Sequence, residues 1–442
     1  MTKGLTLARA FYLTGHRVIG ADFESTGIPC SGRFSHSISV FRTLQKQNAA
    51  NTKAEYTHQV LRIIKDEGID LWVSCSGVAT SLDDARAKEL IEESTPCKCV
   101  QFGVRETALL HQKDSFMREA DQLGLAVPQT YSVSSTEDVL QVLSNNRNTY
   151  PERKFILKTV DVDDVHRGDM SLLPFRSDFE TQEHVVHLPI SPSKPWILQE
   201  YIPGGEEYCS HSLVVRGEVK CFVACPSAEL LMHYRALPRT SPLSRAMLAF
   251  TREFVLRSAH PELLTGHLSF DFMVKDTSIS EKGLARSIYA IECNPRAHTA
   301  VVLFAQKGHE MEEMVEAYIS TLEKAPADPQ VVFQQDGLSE DSIITPSSPL
   351  PRYWIGHDLV SLVFHPAIHW VMGKLKASDF LESCEVFVVH VVSWKEAIFE
   401  TWDPVPVFAL YHIYWTLTIF SAWLWGQRWS RLNVSTTKVF AS

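Results

Sequence analysis

The 442-residue sequence predicts an α/β protein of several units, and three observations carry that prediction. Helix-like and strand-like stretches alternate over residues 4–109, as they do where parallel strands are joined by crossover helices. Two apolar, strand-like runs between residues 265 and 298 close on Glu-Cys-Asn-Pro-Arg, which gathers oxygen donors at a strand end. Residues 351–442 are dense in Trp, Tyr, Phe and His and read as an aromatic appendage.

Composition narrows the class. With 45% hydrophobic and 21% charged residues the chain is globular. Its net charge of −10, with no basic patch, argues against a nucleic-acid partner. Nine cysteines are scattered, and the close pairs Cys97/Cys99 and Cys221/Cys225 lack the further ligands of a zinc site. A reduced cytoplasmic protein is the expectation, since Met-Thr-Lys-Gly-Leu-Thr-Leu-Ala-Arg also lacks the apolar core of a signal peptide.

Taken in order, residues 4–15 have helical apolar spacing, and His16–Asp22 reads as a buried strand. A helix feeding a parallel strand normally returns from an earlier strand. None precedes Met1, so the first sheet is expected to lack a strand. A helix near 54–67, a strand Leu71–Ser74, a helix near 82–93 and a strand Cys99–Phe102 complete an open parallel domain over 1–109. A second unit, 110–325, holds further strands, including a hairpin about Gly217, and ends in a helix over 300–323. An exposed Pro/Ser/Asp-rich linker spans 326–350.

The chemistry centres on 265–298. Alternate residues of a strand share a face, so Glu292 and Asn294 point the same way, and Pro295 ends the strand. A neighbouring strand ending near Asp271 adds its carboxylate. Asp271, Glu292 and Asn294 then form an all-oxygen set suited to Mg²⁺, with Mn²⁺ as the alternative. Arg296 is placed to neutralise a transferring phosphoryl group. No Gly-x-Gly-x-x-Gly or Walker A sequence occurs. The Asp271, Glu292, Asn294, Pro295, Arg296 combination resembles the metal-binding signature of ATP-grasp enzymes, with motif coverage over about 110–300.

That resemblance implies ATP as cofactor, a pre-ATP-grasp domain at the N-terminus, and ATP-grasp α+β subdomains holding the nucleotide between their sheets. It gives Lys113 and Lys158 as the phosphate lysines and Arg167 and Gly168 as part of a closing loop. Trp196-Ile-Leu-Gln-Glu-Tyr-Ile-Pro-Gly-Gly-Glu-Glu-Tyr is similar to the family's hinge. There, backbone at Glu200 and Ile202 meets the adenine edge, and Glu207 or Glu206 meets the ribose. His233, Tyr234 and Arg235 at a sheet edge, and His298, are further substrate-side candidates. The implied reaction joins a small-molecule acid, or an enolate, to an amino acid through a phosphorylated intermediate. A small-molecule kinase and a non-catalytic or membrane-tethered nucleotide binder are the alternatives.

Val405–Trp425 is 21 residues without a charge, long enough for a membrane span. Pro404, Pro406 and the polar His412, Thr416, Thr418 and Ser421 argue against a span. The region also resembles the ending of mycosporine-glycine synthase-type and fungal secondary-metabolite ATP-grasp ligases. On that resemblance the expectation is a cover packed on the ligase body, with membrane contact through 405–425 as the alternative.

Overall fold

The computed structural model describes residues 2–24, 27–45, 53–77, 80–160, 169–227, 232–275, 281–284, 287–324, 342–427, 429–434 and 438–441. Arg167, Gly168 and most of the expected linker lie outside the described residues.

The N-terminal region runs α1 (Thr2–Leu13), β1 (Ile19–Phe23), β2 (Val40–Leu44), α2 (Lys53–Glu67), β3 (Leu71–Val73), α3 (Ser81–Ser94) and β4 (Lys98–Val100). Its strands are parallel, as the helix–strand alternation requires, but they form two separate pairs, β1–β2 and β3–β4, where one open sheet was expected. The strand β2 escapes a pattern reading because Val-Phe-Arg-Thr-Leu mixes apolar and polar residues and buries only Leu44. The apolar residues of α1 are committed elsewhere. Leu5, Leu7 and Ala10 join one core with Val301, Leu303, Val315 and Tyr318, and Phe11 meets Tyr318 edge-on.

Helices α4 (Val104–His111) and α5 (Lys113–Gln122) lead into a three-stranded antiparallel sheet. Its strands are β5 (Thr130–Val133), β6 (Phe155–Thr159) and β7 (Trp196–Glu200), with β7 in the centre. The helices between them, α6 (Thr136–Thr149) and α7 (Asp178–Val186), start where a serine hydroxyl accepts a backbone N–H: Ser135 from Asp138 and Ser177 from Glu180.

A four-stranded antiparallel sheet follows. Its order is β12–β11–β8–β9, with β8 at Glu206–Val215, β9 at Glu218–Pro226, β11 at Gly266–Val274 and β12 at Ile288–Asn294. The β8–β9 turn needs Gly217, whose φ is +82° and whose added Cβ would lie 2.6 Å from the Pro261 carbonyl oxygen. One face of this sheet is aromatic. Phe222, Phe270 and Phe272 pack with Phe250 and Phe254 of α8 (Pro242–Arg257) and Phe116 of α5, and the Phe250 ring stands edge-on to Phe270 and Phe272. Burying such a ring contributes about 1.5–3 kcal/mol, which holds the sheet rigid beneath its opposite face. The opposite face is covered at one end, where Leu213, Cys221 and Val223 share a core with Val301, Leu303 and Val315. At the other end it is polar and half-buried.

The helix expected over 300–323 is broken. A 3-10 turn over Thr299–Phe304 is followed, after a short α9 earlier at Glu281–Leu284, by α10 at His309–Ile319. The polar Gln306-Lys307-Gly308 stretch separates the two.

The C-terminal appendage completes a second small sheet, β10 (His233–Tyr234), β13 (Arg352–Tyr353) and β14 (Lys395–Glu396), with β13 in the centre. His233 and Tyr234, expected at a sheet edge facing the cleft, form the edge strand of this sheet and pair with a strand more than a hundred residues downstream. Three helical pieces run end to end, Ile355–Asp358, Leu359–Phe364 and His365–Val371, and together form α11; α12 is Ala377–Ser393. Val405–Phe408, Ala409–Trp415 and Thr416–Leu424 likewise form α13, and β15 (Trp429–Asn433) and β16 (Lys438–Ala441) make a closing hairpin. Arg9 anchors the appendage: its Nε donates to Asp403 Oδ2 at 2.8 Å and its Nη1 to the Ile398 carbonyl at 2.6 Å. The expected burial of 405–425 as a whole is corrected. Val407, Ala409, Leu410 and Trp415 are buried, whereas Phe420, Trp423, Leu424 and Trp425 are exposed. The reason is geometric, since only the first half of the helix reaches the core.

Candidate active site

Strand register builds the site. In the β11–β12 ladder Asp271 lies directly opposite Glu292, and Ser269 lies opposite Asn294. Paired residues of an antiparallel ladder point to the same face, so both carboxylates and the Asn294 amide emerge together. The register shifts between Asp271 and Phe272, a bulge immediately beside the carboxylate. Across the β8–β11 ladder Met273 lies opposite Glu207 and Asp271 opposite Cys209, which puts Glu207 on this same face.

The polar groups interlock. Asn294 Nδ2 donates to Asp271 Oδ2 at 3.1 Å, and Arg296 Nη2 donates to Asn294 Oδ1 at 3.1 Å. Lys113, the first residue of α5, brings its Nζ to 3.6 Å from Glu292 Oε2. Five of the sequence-derived residues, Lys113, Asp271, Glu292, Asn294 and Arg296, thus meet in one cluster. Two facing carboxylates repel at short range, so the arrangement favours cations. All the donors offered by Asp271, Glu292 and Asn294 are oxygen, and Asp271 and Glu292 are half-buried, which fits a hard divalent ion carrying further ligands of its own.

Lys158, Glu200 and Ile202 sit on or beside the three-stranded sheet, and Glu207 on β8 of the four-stranded one. Lys158 of β6 donates through Nζ to Gln199 Oε1 at 2.7 Å. Glu200 closes β7; Arg153 Nε lies 3.0 Å from its Oε1, and its backbone N–H donates to the Gln129 carbonyl at 2.7 Å. Ile202 is buried, and Gly204, at φ +67°, turns the chain toward β8. Exposed Glu207 accepts a hydrogen bond from Ser227 Oγ at 3.0 Å. A cavity of ≈ 490 Å³ opens beside Glu200, Arg153, Tyr201 and Lys275, and none of Asp271, Glu292 and Asn294 lines it.

Behind the acidic cluster, and missed in the sequence, is a buried basic layer. His211 and His267 lie at even spacing from Cys209 and Asp271 and therefore share their face; that spacing was the available signal. His211 Nδ1 accepts the His298 backbone N–H at 3.3 Å, and His298 Nδ1 accepts that of Ala300 at 3.2 Å. His267 Nε2 is 2.7 Å from the Tyr318 hydroxyl. Burial holds His211 down to about 3 and His267 and His298 well below the ordinary histidine value. His298 is therefore a buried cap of the 299–304 turn. Lys3 bridges domains, donating to the carbonyls of Ser76 at 2.6 Å and Ala297 at 2.8 Å. Burial first, and Arg296 second, lower its amine to about 7.

His233 belongs to a different cluster. Its Nε2 lies 2.7 Å from Asp358 Oδ1, and His390 Nδ1 lies 2.6 Å from Asp358 Oδ2. These are direct hydrogen-bond lengths. An ion between the groups would push nitrogen and oxygen farther apart, so the trio is a clasp joining β10 to α11 and α12.

The sequence matches no protein-family model and no curated protein. The structure is similar to N5-carboxyaminoimidazole synthetase from Staphylococcus aureus complexed with ADP, with a TM-score of 0.51 and 14% identity over 74% of this chain and 76% of that one. It is also similar to an L-amino acid ligase from Bacillus licheniformis, with a TM-score of 0.50 and 12% identity over 73% of this chain and 72% of that one. At such identities the likeness is one of fold, and the fold is the one that ATP-grasp ligases share.

Proposed function

We propose that the chain is an ATP-dependent ligase that joins a small-molecule carboxylate, or an enolate, to an amine through a phosphorylated intermediate. The observation that carries this reading is the Asp271–Glu292 register pair, linked to Asn294 and flanked by Lys113 and Arg296. Two anionic oxygens beside two cations suit a metal–phosphate complex, in which both signs must be matched at once.

In this reading Asp271, Glu292 and Asn294 hold Mg²⁺, which supplies charge neutralisation to the nucleotide phosphates. Lys113, from the start of α5, and Lys158, from β6, contact phosphate oxygens. The backbone at Glu200 and Ile202 receives the adenine edge, and Glu207 the ribose. Arg296, held in direction by Asn294, faces the transferring phosphoryl group and steadies its charge. The buried neutral layer of His211, His267 and His298 keeps water from the inner side of the cluster. An amino acid as the amine rests on the ATP-grasp resemblance over about 110–300, and a role in secondary metabolism on the resemblance of the C-terminal region.

The test is ATP turnover by the purified protein with pools of carboxylic acids and amino acids. Phosphate release that needs both an acid and an amine supports the ligase. Turnover that needs no amine and leaves a stable phosphorylated product overturns ligation in favour of phosphoryl transfer alone.

A further inference from the structure

The apolar side chains of the appendage are distributed in a way that a packed soluble surface is not. From residue 359 to residue 389, a stretch covering most of α11 and α12, no residue is buried. Yet Val360, Phe364, Ile368, Val371 and Met372 of this hairpin are exposed, as are Leu381, Val388 and Val392. Helix α13 divides in two. Its first half enters the core through Val407, Leu410 and Trp415, beside Trp354 and Ile398. Its second half exposes Leu417, Ile419, Phe420, Leu424 and, each at 73%, Trp423 and Trp425.

We propose that this appendage seats the protein on a lipid bilayer as a monotopic attachment, with the second half of α13 and the α11–α12 hairpin pressed into the interface. Three features favour lipid over a second copy of the chain. At about 100° per residue, the six exposed residues of 417–425 occupy all but roughly a third of the helix circumference, and Ala422 fills the remaining buried side. A protein partner laid along a helix covers one face, whereas acyl chains cover every face left open. Two indoles at the helix end, an apolar body with a polar N–H, suit the headgroup boundary. No Lys, Arg, Asp or Glu occurs from 404 to 427, so nothing charged must be desolvated there.

A full span by α13 is excluded by its packed first half. Val405–Leu424 has the length and hydropathy to cross a membrane, with 28% of its most apolar window buried in the protein. The ten residues from 416 to 425 that are left project about 15 Å, half of a hydrocarbon core of about 30 Å. With a net charge of −10 the chain has no general attraction to anionic lipid, so attachment is apolar and insensitive to salt.

The experiment is flotation of the purified full-length protein with neutral phosphatidylcholine vesicles at low and high salt. Most of the protein is expected to float with the vesicles at both salt concentrations. The double variant Trp423→Asp/Trp425→Asp is expected to bind at least tenfold less, with an unchanged thermal midpoint because both side chains lie largely outside the packed core. Should that variant fold poorly, Ile368→Asp/Val371→Asp on the hairpin provides the second reading. Wild-type protein that stays free of vesicles overturns the proposal. A dimer in sedimentation that Trp423→Asp/Trp425→Asp converts to monomer, without vesicle binding, assigns the surface to a second copy instead.

Discussion

Two carboxylate-centred clusters in this molecule look alike in a residue inventory and differ in physical state. At the end of β11 and β12, two carboxylates face each other in register, half-buried, with a lysine 3.6 Å from one of them and an arginine one hydrogen bond away through Asn294. In the appendage a single carboxylate, Asp358, is wholly buried and each oxygen already has an imidazole within 2.7 Å. The first sets two carboxylates against two cations, half-buried and with room for outside ligands. The second is saturated. Carboxylate and histidine content therefore says little about a site until the number of charges, their partners and their exposure are counted together.

The comparison is broken most directly at Glu292. Glu292→Gln removes one of two facing charges and one metal-class oxygen charge, and it empties no core. ATP turnover is expected to fall by about 10²–10³, a loss of the size seen when an electrostatic catalytic group is removed. Thermal stability should hold or rise as repulsion with Asp271 is relieved. Mg²⁺-dependent phosphate release at the wild-type rate would remove the cluster from the chemistry.

Asp358 should behave in the opposite way. Asp358→Ala leaves His233 and His390 facing a void, and breaking such a buried, hydrogen-bonded set costs about 3–5 kcal/mol. Denaturant midpoints should drop accordingly, while turnover per folded molecule stays within a few-fold of wild type. A stable but inactive variant would make the clasp a part of the active site.

Lys113→Ala and Lys158→Ala sharpen the comparison from the nucleotide side. Charge-assisted hydrogen bonds contribute about 1.5–3 kcal/mol, so each change should weaken the affinity for a non-hydrolysable ATP analogue by roughly ten- to a hundredfold. Calorimetric titration reads this directly. Lys158 is the more exposed to refutation, since its amine is bonded to Gln199 on the three-stranded sheet.

The acidic cluster was legible because its geometry is local. Period-two alternation puts Glu292 and Asn294 on one face, and a hairpin between neighbouring strands brings Asp271 opposite. The clasp was not legible, because β10 finds its partner strand at Arg352–Tyr353, and Asp358 and His390 come from helices that follow it. The Lys3–Ala297 bond crosses 294 residues, a separation over which no periodicity speaks. The tail was misjudged for a related reason. Apolar content says that a surface must be covered, and only tertiary placement says that the protein covers half of it.

The smallest expected effect concerns Lys3 and the layer behind the cluster. A buried base with a lowered folded value binds its proton less readily than the unfolded chain does. Unfolding then takes up protons, and stability rises with pH between the folded and unfolded values. For His211 that window runs from about 3 to 6.5, with His267 and His298 adding in the same direction. Asp84, raised to about 6 by burial, and Glu396, also raised by burial, act against them. For Lys3 the window runs from about 7 to 10.5, and above about 9 buried thiols such as Cys75, raised to about 11, pull the other way. Between pH 7 and 9, then, wild-type stability should climb with a Lys3 contribution of up to about 1.4 kcal/mol per pH unit. Lys3→Met removes that climb; it also removes the charge that helps to hold down His211, His267, His298 and Asp84 at acid pH, and it forfeits the bonds to Ser76 and Ala297. Urea unfolding of both proteins at pH 7, 8 and 9 checks it. Converging curves, with the wild type gaining on the variant as pH rises, fit a neutral buried amine beside Arg296; parallel curves mean that Lys3 keeps its proton and belongs with the charged cluster in front of it.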